Sequence, residues 1–293
     1  MLFGAYLSRR HSVWLVDVDK DRVDRICAAG VTIQETDGRE QTFYPHAVTG
    51  TEDLGEMDLV IVFVKSMFTQ DALAANRSLI GENTYLMTLQ NGVGHEATLL
   101  KFADAQHVII GTTQHNASVT GNGCTRHGGA GHTSVGLVSG GAEIAHIAQA
   151  FTECGIECGV CNEIKSQIWR KLFTNTAASS LTAVLQVPLG FIYENPDARE
   201  IMRTLCREAV AVANAEGAAR FDETEVIESV EAVCQNSRNG YTSICADIQR
   251  GSRTEVDTIS GAVIGAARTV NVPVPYHEMI VHLIHALEKR SKK

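Results

Sequence analysis

Apolar and polar positions follow two different rhythms along the chain. Up to about residue 162, short apolar runs alternate with helical spacings. Val13-Trp-Leu-Val-Asp17 is a brief apolar run ending in an acid, preceded by a helix tail from Leu2 to Arg10. A helix over 19–29 follows, with apolar Val23, Ile26 and Cys27 on one face and Gly30 as its terminator. The run Asp58-Leu-Val-Ile-Val-Phe-Val-Lys65 is almost continuously apolar, as a strand covered on both faces of a parallel sheet must be. Further strands are predicted over 85–91 and 108–111, with helices over about 68–80 and 95–104 between them. Residues 112–142, rich in Gly, Thr, Ser and His, predict antiparallel strands and loops, followed by a helix over about 142–153 and a strand over about 156–161. This alternation predicts a doubly wound, Rossmann-type α/β domain over residues 1–164.

Beyond about residue 165 the strand signals cease. Asn195-Pro196 is an N-cap with proline at the first helical position, and Ile201, Leu205, Ala209 and Val212 keep the 3–4 spacing of one buried face up to Gly217. Helices are also predicted over about 223–236, 240–250, 254–270 and 276–289, so residues 165–293 form an all-α domain.

At 293 residues the chain is long enough for two such domains. Its formal net charge of -9 gives no footprint for nucleic acid or an anionic membrane surface. No apolar run reaches the roughly 18 residues of a membrane span, and Met1-Leu2-Phe3-Gly4 lacks a signal-peptide layout, so cytoplasm is the expected compartment. Five of the eight cysteines are scattered, and Cys154, Cys158 and Cys161 lack a matching second pair, which favours reduced structural thiols over a metal site. His115, His127 and His132 are dispersed through a Gly-rich β region with no Asp or Glu spaced to join them, and read as loop or core histidines.

The chemistry concentrates in Ile168-Trp-Arg-Lys-Leu-Phe-Thr-Asn175. On a helix, Lys171 and Asn175 point the same way. An ammonium beside an amide suits delivery of a proton and a hydrogen bond to one carbonyl oxygen. Taken alone, Lys171 is an ordinary surface lysine on an amphipathic helix. Asp17 occupies the place of a ribose-binding acid at the end of a strand. No G-x-G-x-x-G loop precedes it: the sequence begins inside what reads as the first helix, as expected of a misassigned start codon or a truncated chain.

Several segments, in order, resemble the ketopantoate reductases (2-dehydropantoate 2-reductases). Met1-Leu-Phe-Gly-Ala-Tyr-Leu7 resembles the residues after that family's glycine loop, and Val64-Lys65 its cofactor-domain lysine. Leu89-Gln-Asn-Gly-Val-Gly94 is similar to its L-Q-N-G-x-G segment, and Trp169-Arg-Lys-Leu172 with Asn175 to its catalytic helix. Asp247-Ile248 and Arg253-Thr-Glu-Val-Asp257 match its D-I…R-x-T-E-[IV]-D signature. The resemblance implies hydride transfer from a nicotinamide cofactor to the 2-oxo carbon of ketopantoate, giving pantoate for pantothenate and coenzyme A synthesis, at a site between the two domains. It implies Lys171 as general acid, with Glu255 balancing its charge. It implies Asn91, Asn175 and Ser243 as substrate ligands, and Asp17, Lys65, Asn91 and Glu255 on the cofactor side. Ser179 stands where the family has a second asparagine. NADPH is the family's cofactor, whereas the acidic Asp17-Val18-Asp19 would repel a 2′-phosphate and points to NADH. The alternatives are reduction of another 2-oxo acid, and a non-catalytic metabolite-binding protein that lacks the glycine loop. The expected partner is a small 2-oxo acid, and a long helical domain could supply a homodimer face.

Overall fold

The computed structural model describes residues 1–140 and 143–290, so the first residue of the helix expected over 142–153 lies outside the described residues. The chain divides into two compact units. The first comprises residues 1–64, 68–90 and 96–164; the second comprises 65–67, 91–95 and 165–293.

The first unit begins with α1 (Leu2–Leu7), β1 (Trp14–Val16) and α2 (Lys20–Ala29). Asp19 caps α2, accepting from the Arg22 amide at 3.1 Å. Gly30 ends it at φ +73°, where a Cβ would lie 2.3 Å from the Phe43 carbonyl oxygen. Next come β2 (Val31–Gln34), β3 (Glu40–Phe43), β4 (His46–Val48), β5 (Leu59–Val62), α3 (Thr69–Ala75), β6 (Tyr85–Thr88), α4 (Glu96–Leu99) and β7 (Val108–Thr113). β8 (Asn116–Gly121), β9 (Cys124–Gly129), β10 (Thr133–Leu137), α5 (Ala145–Glu153) and β11 (Cys158–Val160) complete it.

β5, β6 and β7 run parallel in a five-stranded sheet of order β11-β10-β7-β6-β5, in which β10 is antiparallel to β7. The apolar runs that predicted these strands supply buried Val62, Leu86, Met87, Val108 and Ile109. β1 pairs in parallel with β4, and the Gly-rich β8–β9 hairpin joins β2 and β3 in a separate sheet of order β3-β2-β9-β8. The helix expected over 68–80 is shorter than its apolar spacing implies. Asn76 donates its side-chain amide to the Ala72 carbonyl at 2.7 Å, competing with the helical ladder, and a 3₁₀ turn follows.

The second unit carries α6 (Ile164–Thr174), α7 (Ser180–Leu185), α8 (Leu189–Glu194), α9 (Pro196–Ala215), α10 (Glu223–Asn236), α11 (Ser243–Gln249), α12 (Ser260–Val270) and α13 (Pro275–Arg290). Asn195 caps α9 with Pro196 behind it. The buried stripe of α9 runs through Met202, Leu205, Cys206, Ala209, Val212 and Ala213, and joins Trp169, Leu172 and Phe173 of α6 in one core. Helix 254–270 is interrupted: Val256–Thr258 is a 3₁₀ turn, and α12 starts only at Ser260.

Candidate active site

Lys171 lies in the last turn of α6, half-buried, beside fully buried Leu172 and Phe173. Burial pushes its ammonium down from 10.5 to about 8, and the negative charge of Glu255 opposes that fall. The helix does not continue regularly to Asn175. Residues Asn175–Ser179 form a π-helical turn before α7. The wider turn is held by a hydroxyl network: Ser260 Oγ lies 3.0 Å from Thr176 Oγ1 and 2.9 Å from Ser180 Oγ, and donates to the Thr176 carbonyl at 3.5 Å. Small hydroxyl and alanine side chains let α12 approach closely enough to take up a carbonyl freed from the α-helical ladder. The simple i, i+4 relation read from sequence therefore stops at Lys171.

Ser179 is buried at the end of this turn. Its carbonyl accepts from Thr182 Oγ1 at 2.8 Å and from Thr242 Oγ1 at 3.3 Å. Thr242, not Ser243, is the N-cap of α11, and leaves Ser243 exposed as its first helical residue. The turn bearing Asn175 and Ser179 is thereby tied to the start of the helix bearing Ser243.

A second group of contacts surrounds Glu255. The Ser66 amide donates to Glu255 Oε1 at 3.3 Å, and Ser66 Oγ lies 2.9 Å from Thr258 Oγ1. Lys65 Nζ donates to the Arg253 carbonyl at 2.6 Å and pairs with Asp247 at 3.2 Å. Asp247 also holds Arg250 at 3.1 Å. Gly92 follows Asn91 at φ +111°, and a Cβ there would fall 1.9 Å from the Thr258 carbonyl oxygen, so only glycine lets the two segments meet. His95 Nε2 lies 2.8 Å from the Asn91 carbonyl and steadies that loop. Lys65, Asn91, Lys171 and Glu255 all belong to the second unit. Ser66 and Thr258 carry no sequence signal beyond proximity to the Val64-Lys65 and Arg253–Asp257 segments, and Thr254 is part of that second segment with no role assigned to it.

Asp17 belongs to the first unit, just past β1. Its Oδ1 accepts from the Asp19 amide at 3.0 Å, and its Oδ2 takes Arg22 Nη1 at 2.5 Å; Arg22 also reaches Asp19 at 3.3 Å. A half-exposed carboxylate at a strand C-terminus fits the two hydroxyl donors of a ribose. One guanidinium between two carboxylates leaves a net negative charge, which fits a 2′-phosphate poorly.

The histidines meet acids that their local spacing does not show. Glu35, distant in sequence, accepts His127 Nδ1 at 2.8 Å and is hydrogen-bonded by the Tyr6 hydroxyl, while His115 Nδ1 lies 3.0 Å from His127 Nε2. His132 pairs with Glu157 at 3.2 Å. The acids absent from the local spacing are brought in by β2 and by the turn before β11. Cys154 and Cys158 have their thiols pushed up by burial, Cys158 to about 11.

Comparisons with known proteins agree in direction. Residues 1–140 match the family model described as ketopantoate reductase PanE/ApbA, and residues 163–288 match that of its C-terminal part. A curated 2-dehydropantoate 2-reductase of Halobacterium salinarum is 31% identical over 289 residues, covering 98% of this chain and 94% of the relative. A solved D-mandelate dehydrogenase with NADH and anilino(oxo)acetate is 28% identical with a TM-score of 0.93, covering 100% of this chain and 96% of that one. A PanE/ApbA family ketopantoate reductase from Ralstonia eutropha JMP134 is 25% identical with a TM-score of 0.90, covering 99% and 95%.

Proposed function

The chain belongs to the ketopantoate reductase family, and from that premise we propose that it reduces 2-dehydropantoate to pantoate with Lys171 as the proton donor. The observation that carries the reading is the half-buried ammonium of Lys171 at the end of α6, its pKa drawn down to about 8 by burial against the opposing charge of Glu255. A nicotinamide cofactor, when bound, would supply the hydride that the 2-oxo carbon receives. As charge develops on the 2-oxo oxygen, Lys171 Nζ stabilises it and transfers its proton to that oxygen. Glu255 keeps the lysine cationic before transfer. Asn91, Asn175, Ser179 and Ser243 are the polar groups assigned to the substrate's hydroxyl and carboxylate, and Lys65, Asn91, Asp17 and Glu255 to the cofactor. The boundary between cofactor and substrate domains falls at 164/165.

The acidic pair Asp17 and Asp19, which between them engage Arg22, supports NADH over NADPH. One observation favours a second substrate reading: the solved D-mandelate dehydrogenase holds anilino(oxo)acetate, which carries an aromatic ring, and Ser179 is shorter than the amide expected there. Following cofactor oxidation by absorbance, with a panel of 2-oxo acids and both cofactors, tests all of this. Highest kcat/KM is expected for 2-dehydropantoate with NADH. Higher kcat/KM for an aromatic 2-oxo acid would establish the second reading, and faster oxidation of NADPH would overturn the cofactor assignment.

A further inference from the structure

Glu255 caps the short 3₁₀ turn Val256–Thr258, its carbonyl accepting from the Thr258 and Ile259 amides at 3.1 Å each, and the residues on either side of it are held from α13 as well. Thr254, fully buried, donates to Glu288 Oε1 of α13 through both its amide, at 2.7 Å, and its hydroxyl, at 2.8 Å. Thr254 Oγ1 in turn accepts from the Val256 amide at 3.2 Å, and Val256 is fully buried. Both neighbours of Glu255 are therefore fixed through one carboxylate oxygen. On the same face of α13, His285 Nε2 meets Asp257 Oδ1 at 3.0 Å. Two residues three apart on one helix thus grip the Thr254–Asp257 segment at both its ends.

We propose that Glu288 is a positioning residue for the catalytic pair: by gripping Thr254 it sets where the Glu255 carboxylate stands relative to Lys171. The inference rests on the role proposed for Lys171 and Glu255. Glu288 lies 31 residues beyond the end of the Arg253–Asp257 signature. The chemistry required of it is acceptance of two hydrogen bonds; its charge is incidental. Other charged groups around the segment are Lys65, Arg253, Asp257 and His285.

The test follows the ammonium of Lys171 directly, by NMR titration of protein labelled at the lysine ε-carbon, with its signal assigned by its loss in Lys171→Arg. In Glu255→Gln the titration moves to lower pH, because the charge that holds the proton is gone; this variant sets the scale. Glu288→Ala is expected to move in the same direction, toward the Glu255→Gln value. Glu288→Gln keeps an acceptor oxygen and is expected to titrate with wild type. Equal shifts in Glu288→Ala and Glu288→Gln would mean that a distant charge acts on the lysine, and no shift in either would mean that Glu255 needs no grip; each overturns the proposal. Should Glu288→Ala fail to fold, Thr254→Val, which removes the hydroxyl half of the grip, is expected to shift down while Thr254→Ser stays with wild type, and equality of these two overturns it. The titration does not depend on turnover. An inactive wild type would refute the reaction and leave the grip standing, whereas unmoved titrations would refute the grip alone.

Discussion

Two carboxylates of the helical unit, Glu231 and Glu255, each face cationic side chains, and they are built for opposite ends. Glu231 on α10 is buried and doubly gripped: Arg199 Nε and Arg203 Nε each reach its Oε1 at 2.8 Å, and Arg199 also bonds its Oε2. The Arg199 guanidinium, which also stacks 4.2 Å over Tyr193, holds the Glu231 carboxyl below its ordinary range. Glu255 instead faces one lysine on a buried helix end, and that lysine's proton is already loosened. Guanidinium keeps its charge under all ordinary conditions, whereas a lysine adjusts its pKa to its surroundings. A carboxylate saturated by arginines locks a structure; one that partly balances a buried lysine leaves a proton to give.

The largest expected effect tests the loose side of this contrast. Lys171→Ala should lower kcat by about 10²–10⁴-fold, the usual worth of a positioned proton donor, with the fold intact by circular dichroism. Near-normal turnover would remove Lys171 from the reaction. Lys171→Met should be as inactive yet more stable than wild type, by about 1–2 kcal/mol at pH 7, because the ammonium is held there against its own hydration. A melting temperature below that of wild type would contradict that account.

The locked side gives the next effect. Glu231→Ala leaves two guanidiniums facing each other without their acceptor. It should destabilise the fold by about 2–3 kcal/mol, toward the lower end for a broken ion pair because both arginines retain contact with water. Per folded molecule, kcat should be unchanged. A kcat loss comparable to that of Lys171→Ala would erase the distinction between the two carboxylates.

The contrast also marks what the sequence could and could not say. α9 was legible because its signals are local: Asn195-Pro196 at the start, a 3–4 apolar spacing behind it, and a glycine two residues past its end. The strands β6 and β7 were legible because buried strands are apolar where they are covered. β5 was found by the same signal but is an edge strand of Leu59–Val62 with only Val62 buried, and Phe63 and Val64, expected in it, lie exposed beyond its end. The π turn at Asn175 was not, since it depends on Ser260, brought in from α12 by the fold. Nor were the Glu35 partner of His127, the Asp247 partner of Lys65, or the grip of Glu288 on Thr254. Each joins residues far apart in sequence, and short-range spacing carries no trace of them. Lys171 itself was placed in a role by resemblance; its perturbed proton affinity comes from burial, which no single residue announces.

The smallest effect separates the two sites by the pH at which each bears on stability. Burial lowers Lys171 from 10.5 to about 8, so between those values the unfolded chain binds more protons than the folded one, and stability rises with pH. The penalty is fully present below about 8 and is relieved as pH climbs to 10.5. Glu231 works in the other direction. Its folded value lies below the ordinary 4.5, so its stabilisation is fully present above 4.5 and is lost as acid carries the pH down through the folded value. Thermal melts across pH should therefore show Lys171→Met removing part of the alkaline rise and leaving the acid side unchanged. Glu231→Gln should flatten the acid side alone. If the Lys171→Met curve runs parallel to wild type between pH 8 and about 10, the lysine's proton is not loosened by the fold, and the two carboxylates differ only in their partners.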